Sequence, residues 1–279
     1  MRDPSTHLRR AAVAWAVLSV LGVLGVVLLL GPHMPPGRGT VEASEQTTAN
    51  ILIASIMLPI AIALWLFFAV ALTTFRQRGD QLEDGPPLIG NARVQATWVA
   101  GTTLIVLFLA AFGTYTLIEP AKGAAGGGQG SDPLVTPAGT ALRVQVIGQQ
   151  WAWTFRYPAY GGFETTHLVL PVDRLVEFHV TALDVVHSFW AYELGVKADA
   201  VPGADNVAFV TPHKLETFSI RCAEVCGLWH GYMSTHGEVV DASAFSAWAQ
   251  SEKAATALAT RVLPTYAHTY YPDPPRRAG

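Results

Sequence analysis

The chain has 279 residues, of which 51% are hydrophobic and only 14% charged. That is too apolar for one ordinary soluble domain, and a net charge of -3 offers no broad basic surface for nucleic acid. No internal repeat, P-loop or Gly-x-Gly-x-x-Gly run follows a strand-like segment, so nothing points to nucleotide chemistry.

Three apolar runs crowd the first 120 residues: Ala11 to Leu30, Ile51 to Leu72 and Ala96 to Ile118. Each is close to the roughly 20 residues that a helix needs to cross a bilayer. Pro59 interrupts the second, which a membrane helix tolerates. Between the second and third runs lie Arg76, Arg78 and Arg93, against Arg38 alone after the first. Positive charge marks the inner side, so everything beyond about residue 120 is expected outside the membrane. Arg9 and Arg10 ahead of the first run resemble the start of a signal peptide. The run is longer than a usual signal core and no small-x-small site follows it, which favours an uncleaved helix.

Lys122 to Ser131 is Gly-rich and reads as a tether. Beyond it, short runs with alternating or β-branched residues recur: Leu142 to Ile147, His167 to Leu170, Leu175 to Val180, Asn206 to Val210, Leu215 to Ile220 and Glu238 to Asp241. Turn formers such as Gly161-Gly162 and Pro202-Gly203 separate them, a spacing that predicts a β-sandwich or small barrel. Ala242 to Thr260 reads as a terminal helix and Pro264 to Gly279 as a Pro-rich tail.

The chemistry concentrates in Arg221-Cys-Ala-Glu-Val-Cys-Gly-Leu-Trp-His-Gly-Tyr-Met233, which holds both cysteines of the chain in the pattern C-x3-C-x3-H-x2-M. Cys222 and Cys226 could form a disulfide, bind zinc or act as reactive thiols. A zinc finger needs more chain between its cysteine and histidine pairs, and a plain disulfide leaves His230 and Met233 without a role. Two thiolates, an imidazole and a thioether form a soft set that favours copper. A second cysteine four residues from the first allows thiolates to bridge two copper ions. A partner must come from elsewhere, and Asp184-Val-Val-His-Ser-Phe-Trp190 offers His187. An isolated histidine among apolar residues is more often a hydrogen-bonded core residue than a ligand.

Asp184 to Trp190, Glu193-Leu-Gly-Val-Lys-Ala-Asp-Ala-Val-Pro-Gly203, the cysteine loop and Gly148-Gln-Gln-Trp-Ala-Trp153 together resemble subunit II of haem–copper cytochrome c oxidases. The resemblance runs from the second apolar run to the terminal helix. It implies transmembrane helices followed by a cupredoxin β-sandwich with a binuclear copper centre, CuA. That centre takes electrons from cytochrome c and passes them to haem in subunit I, where oxygen is reduced. By the same resemblance, Cys222 and Cys226 are bridging thiolates, and His187 and His230 each bind one copper. Met233 is a weak thioether ligand, and Glu224 supplies a backbone carbonyl. The Glu224 side chain reaches a magnesium ion at the subunit I boundary. Trp151 resembles the family's point of electron uptake, although paired tryptophans on one strand face are often core.

Acids that could dock a basic cytochrome are Asp173, Glu177, Glu193, Asp199 and Asp205, while His167, His179, His213 and His236 are read as non-ligands. The expected organisation is a hydrophobic segment and linker (1–45), a transmembrane hairpin (46–120), a tether (121–136), the cupredoxin domain (137–242) and a terminal helix and tail (243–279). The subunit is expected in a bacterial-type plasma membrane with its copper domain outside, beside subunit I and subunit III.

Two departures stand out. Gln95 occupies a position where the family often has a glutamate that serves proton uptake, and Pro202 to Asn206 lacks the family's usual arginine. No Cys-x-x-Cys-His occurs, so no haem c domain is fused. The alternative is a membrane-tethered copper-delivery protein, which would need a thioredoxin-like alternation of strand and helix and would lack Met233. Quinol oxidase subunits lose the ligands, and a nitrous-oxide reductase would need a propeller domain.

Overall fold

A computed structural model of the chain describes residues 4–74, 90–118 and 141–261. The tether at 122–131, Arg76, Arg78 and the tail at 264–279 lie outside the described residues. The chain divides into a helical unit and a β unit.

Helix α1 spans Pro4–Gly25 and runs on through a π-helical turn, Val26–Leu30. Helix α2 spans Val41–Thr74 and α3 spans Ala92–Ile118. All three are long and apolar enough to cross a bilayer. Their large side chains stay exposed, with Trp65 at 75% and Leu104 at 68%. In water such surface would collapse, whereas hydrocarbon solvates it at no cost.

Among the described residues, the β unit is a sandwich of ten strands. In chain order they are β1 (Leu142–Gln149), β2 (Ala152–Tyr157), β3 (Phe163–Thr165), β4 (Leu168–Pro171) and β5 (Val176–Ala182), then β6 (His187–Ala191), β7 (Val196–Ala200), β8 (Asn206–Val210), β9 (Glu216–Cys222) and β10 (Ser234–Val240). One sheet has the order β3-β2-β1-β5-β8 and the other β4-β10-β9-β6-β7. Pairs β1·β5 and β4·β10 are parallel and the rest antiparallel.

Phe189 of β6 joins the two inner faces, with ring centroids 5.7 Å from Trp153, 6.4 Å from Phe155 and 5.3 Å from Phe178. Tyr157 of β2 crosses between sheets as well. Its hydroxyl donates to the Val169 carbonyl at 2.8 Å and accepts the Val169 N–H at 3.0 Å. Helix α4 (Ala242–Ala255) starts on Asp241, whose carboxylate accepts from the N–H groups of Ser243 and Ala244. Its Phe245 and Trp248 pack on Tyr157.

The six strand-like runs of the sequence all fall on strands, but β2, β3, β6 and β7 lie outside them. His187-Ser-Phe-Trp-Ala191 is buried on both faces, so it shows no alternation. Val196-Lys-Ala-Asp-Ala200 alternates only between small and polar residues, and β3 has three residues. Within β2, Arg156 is fully buried and pairs with Glu164 of β3, a charge that masks a core strand. The terminal helix is split at Thr256, with α5 (Ala257–Thr260) beyond it.

Residues Met34–Thr48 group with the sandwich. Thr40 Oγ1 donates to the Leu194 carbonyl at 2.9 Å and accepts the Ala43 N–H, capping α2. The Gln46 amide donates to the Gly195 carbonyl. Gly195 has φ +69°, and a Cβ there would lie 2.9 Å from the Ala43 backbone, so only glycine admits this contact.

Candidate metal centre

Strand register assembles the site. On β9, Phe218, Ile220 and Cys222 point inward by the period of two, and on β6 so do His187, Phe189 and Ala191. Phe189 pairs with Cys222 across β6 and β9, which puts His187 two residues beyond the end of β9. The Ala223 N–H donating to the Ser188 carbonyl at 2.9 Å carries that pairing past the strand. On the other side, the Cys222 N–H donates to the Met233 carbonyl at 3.0 Å, just before β10. Cys222 is therefore flanked by His187 and Met233 through backbone pairing alone.

The donor atoms form a continuous chain. His187 Nδ1 lies 3.8 Å from Cys222 Sγ, which lies 3.7 Å from Cys226 Sγ. Cys226 Sγ lies 3.6 Å from His230 Nδ1 and 3.8 Å from Met233 Sδ. The Glu224 carbonyl approaches Cys222 Sγ at 3.2 Å, while its side chain is exposed. Both cysteines are free, so no disulfide consumes them. His187, Cys222, Cys226 and Met233 are buried and His230 is half-buried. Among the described residues, His187, Cys222 and Cys226 are the metal-competent cluster of histidines, cysteines and acids.

Burial, followed by the hydrogen bond and charge of Cys222, pushes the Cys226 thiol up to about 11. Two thiolates cannot share so dry a space without a cation between them, and binding one displaces their protons. The donor set therefore fits a thiophilic metal. One imidazole presents Nδ1 to each sulfur, His187 to Cys222 and His230 to Cys226.

The surrounding shell holds these groups in place. Asp184 Oδ1 lies 2.9 Å from His187 Nε2, which leaves Nδ1 to face the sulfur. Burial alone would raise the Asp184 pKa. The N–H of Gln150, the His187 ring and the N–H of Val185 outweigh it and hold the carboxyl below its usual range. In the sequence, the signal for Asp184 is its position three residues before His187. Gln150 Nε2 donates to the Cys226 carbonyl at 2.8 Å, and Trp151 Nε1 donates to the same oxygen at 3.3 Å. Gly227, at φ +119°, lets the loop pass: a Cβ would sit 3.0 Å from Gln150 Nε2. Trp153 is buried and meets the His187 ring edge-on at 6.0 Å.

Trp151 stands in the turn before β2, half-buried, so it does not share a strand with buried Trp153. Of the acids considered for docking, Glu177 and Asp205 bracket His179, Glu193 accepts from Ser219, and Asp173, still largely exposed, meets His213. The loop itself exposes apolar side chains, with Val225, Leu228 and Tyr232 all more than three-quarters exposed.

Comparison with known proteins bears on this site. Residues 162–240, which include His187 and the whole cysteine loop, match the family profile described as cytochrome c oxidase subunit II, periplasmic domain. Cytochrome c oxidase subunit 2 of Thermostichus vulcanus is 30% identical, over 87% of this chain and 86% of its own length. The chain belongs to the cytochrome c oxidase subunit II family. The protein of the same name from Synechocystis sp. is also 30% identical, over 77% of this chain and 76% of that one. The periplasmic domain of subunit II of cytochrome oxidase from Bradyrhizobium japonicum aligns with 43% of this chain and 99% of its own length. It shares 29% identity at a TM-score of 0.41.

As a subunit II, the chain is part of an oxidoreductase complex with other oxidase subunits. Its three apolar helices followed by a β-sandwich match the expected cupredoxin-like architecture. The copper-delivery alternative falls away, since the sandwich has no strand–helix alternation. The family suggests copper, and the His187, Cys222 and Cys226 cluster suits it.

Proposed function

We propose that this subunit II holds a binuclear copper centre, CuA, that takes electrons from cytochrome c and relays them to haem in subunit I. The observation that carries this reading is the donor chain His187 Nδ1, Cys222 Sγ, Cys226 Sγ, His230 Nδ1, stepped at 3.8, 3.7 and 3.6 Å. A copper pair held here would supply a one-electron couple. Cys222, Cys226, His187 and His230 would hold it, with Met233 as a weak ligand and the Glu224 carbonyl as the last donor.

The protein's own contribution is rigidity. Asp184 fixes the His187 ring, Gln150 and Trp151 fix the Cys226 carbonyl, and the Phe189 cluster backs the whole centre. Ligands that keep one geometry in both oxidation states limit the rearrangement that accompanies each electron. Trp151 is the point of electron uptake, because its indole bonds directly to the carbonyl of a bridging cysteine. The exposed Glu224 carboxylate is available to a magnesium ion at the subunit I boundary. The copper domain faces the periplasm of a bacterial-type plasma membrane, and the complex also includes subunit III.

Metal analysis and electron paramagnetic resonance on the purified full chain test this reading. Two copper ions per chain with a multi-line, delocalised signal support it. A single zinc ion, one copper or a Cys222–Cys226 disulfide in the active protein overturns it.

A further inference from the structure

Within the helical unit, α1 makes specific contacts with α2. The Trp15 indole N–H donates to the Pro59 carbonyl at 2.8 Å. Gly22 approaches Leu58 so closely that a Cβ would come within 2.7 Å of its Cδ2. Ser19 and Val26 are both buried, and Gly31, five residues past Val26, lies against Ile51, where a Cβ would come within 3.2 Å of Cδ1. Near the other end, Ala11 and Ala12 face Ala63 and Phe67 across a shallow hollow.

Positions 15, 19, 22 and 26 recur every three or four residues, so they fall on one side of a helix. In hydrocarbon, apolar surface alone does not hold two helices together. Close approach at small residues and hydrogen bonds between helices do. The Trp15 N–H matters most here, because a donor left bare in lipid is costly and the Pro59 carbonyl satisfies it.

We infer that α1 is a permanent third transmembrane helix of this subunit, bound to α2 through Trp15–Pro59 and Gly22–Leu58, and not an export leader removed from the mature chain. A leader is recognised by its apolar length and its cleavage site and needs no matched partner. This helix has a matched partner, and Gly31-Pro32 follows its apolar run where a small-x-small site would be needed. Retention keeps the Met34–Thr48 segment, which is bonded to the sandwich, continuous with membrane helices at both of its ends.

The test uses the full chain with a C-terminal tag, purified from bacterial membranes in mild detergent. Intact-mass measurement should return the chain from its first residues. A mature N-terminus near residue 30 overturns the inference. A protease site placed in the exposed Pro32–His33 turn then allows α1 to be cut free after purification. The fragment should stay with the tagged remainder through gel filtration, and Gly22→Leu should release it. Trp15→Phe, a milder change, should raise the released fraction severalfold. Release from the otherwise unaltered chain, or full retention in both variants, overturns the named contacts.

Discussion

Asp184 holds His187 by its far nitrogen, with Oδ1 2.9 Å from Nε2, while the near nitrogen faces Cys222 Sγ. A carboxylate on the outer nitrogen sets both the tautomer and the tilt of a ligating imidazole. Asp184→Ala should keep the fold but weaken copper binding about 10- to 100-fold. Copper titration reads the affinity, and an unchanged value would remove Asp184 from the site. Asp184→Asn retains an acceptor and should fall between the two.

Met233 lies at the edge of the donor chain, 3.8 Å from Cys226 Sγ and buried. Met233→Leu conserves volume, so stability should change by less than about 1.5 kcal/mol. Copper should remain bound while the reduction potential shifts. Loss of all metal would contradict a weak-ligand role, and redox titration followed by absorbance distinguishes the outcomes.

Trp151→Phe keeps an aromatic ring but removes the N–H that reaches the Cys226 carbonyl. Electron uptake from reduced cytochrome c should slow while the paramagnetic spectrum stays the same. Stopped-flow reduction measures the first and resonance the second. An unaltered rate would move the point of uptake elsewhere.

Phe189 touches three aromatic rings of the opposite sheet and lies directly behind the site. Phe189→Ala leaves a cavity and should cost about 3–5 kcal/mol. Hydrogen exchange across β6 and β9 in the full chain should show the loss. Protection equal to the unaltered chain would mean that the sandwich does not depend on this contact.

His179 supplies a pH dependence. Burial works to lower its pKa, but Asp205 at Nδ1 and Glu177 at Nε2 outweigh it, and the folded pKa is raised. The unfolded value is about 6.5. A raised folded pKa means a contribution that is complete below about 6.5 and is lost as pH climbs through the folded value. The sandwich should therefore become less stable from pH 6 toward alkaline pH, and His179→Gln should flatten that decline. Thermal unfolding across this range, monitored in the β unit, checks the slope; a rise in stability with pH would reverse the assignment.

Much of this was legible one-dimensionally. Three apolar runs predicted three helices, since length and hydropathy alone decide whether a helix can cross lipid. The ligand loop was legible because four donors lie within twelve residues, so chain connectivity already holds them close. β6 was not, because a strand buried on both faces and carrying His187 and Ser188 shows no alternation.

What the sequence by itself determined is the inventory: a membrane anchor, a β domain and one compact set of soft donors. Only the tertiary structure brought the His187 ring, thirty-five residues upstream, to 3.8 Å from Cys222 Sγ, because register between β6 and β9 is a long-range property. It also decided that Asp184, Gln150 and Trp151 are the groups that brace it, since hydrogen bonds between loops at one end of a sandwich leave no periodic trace in the chain.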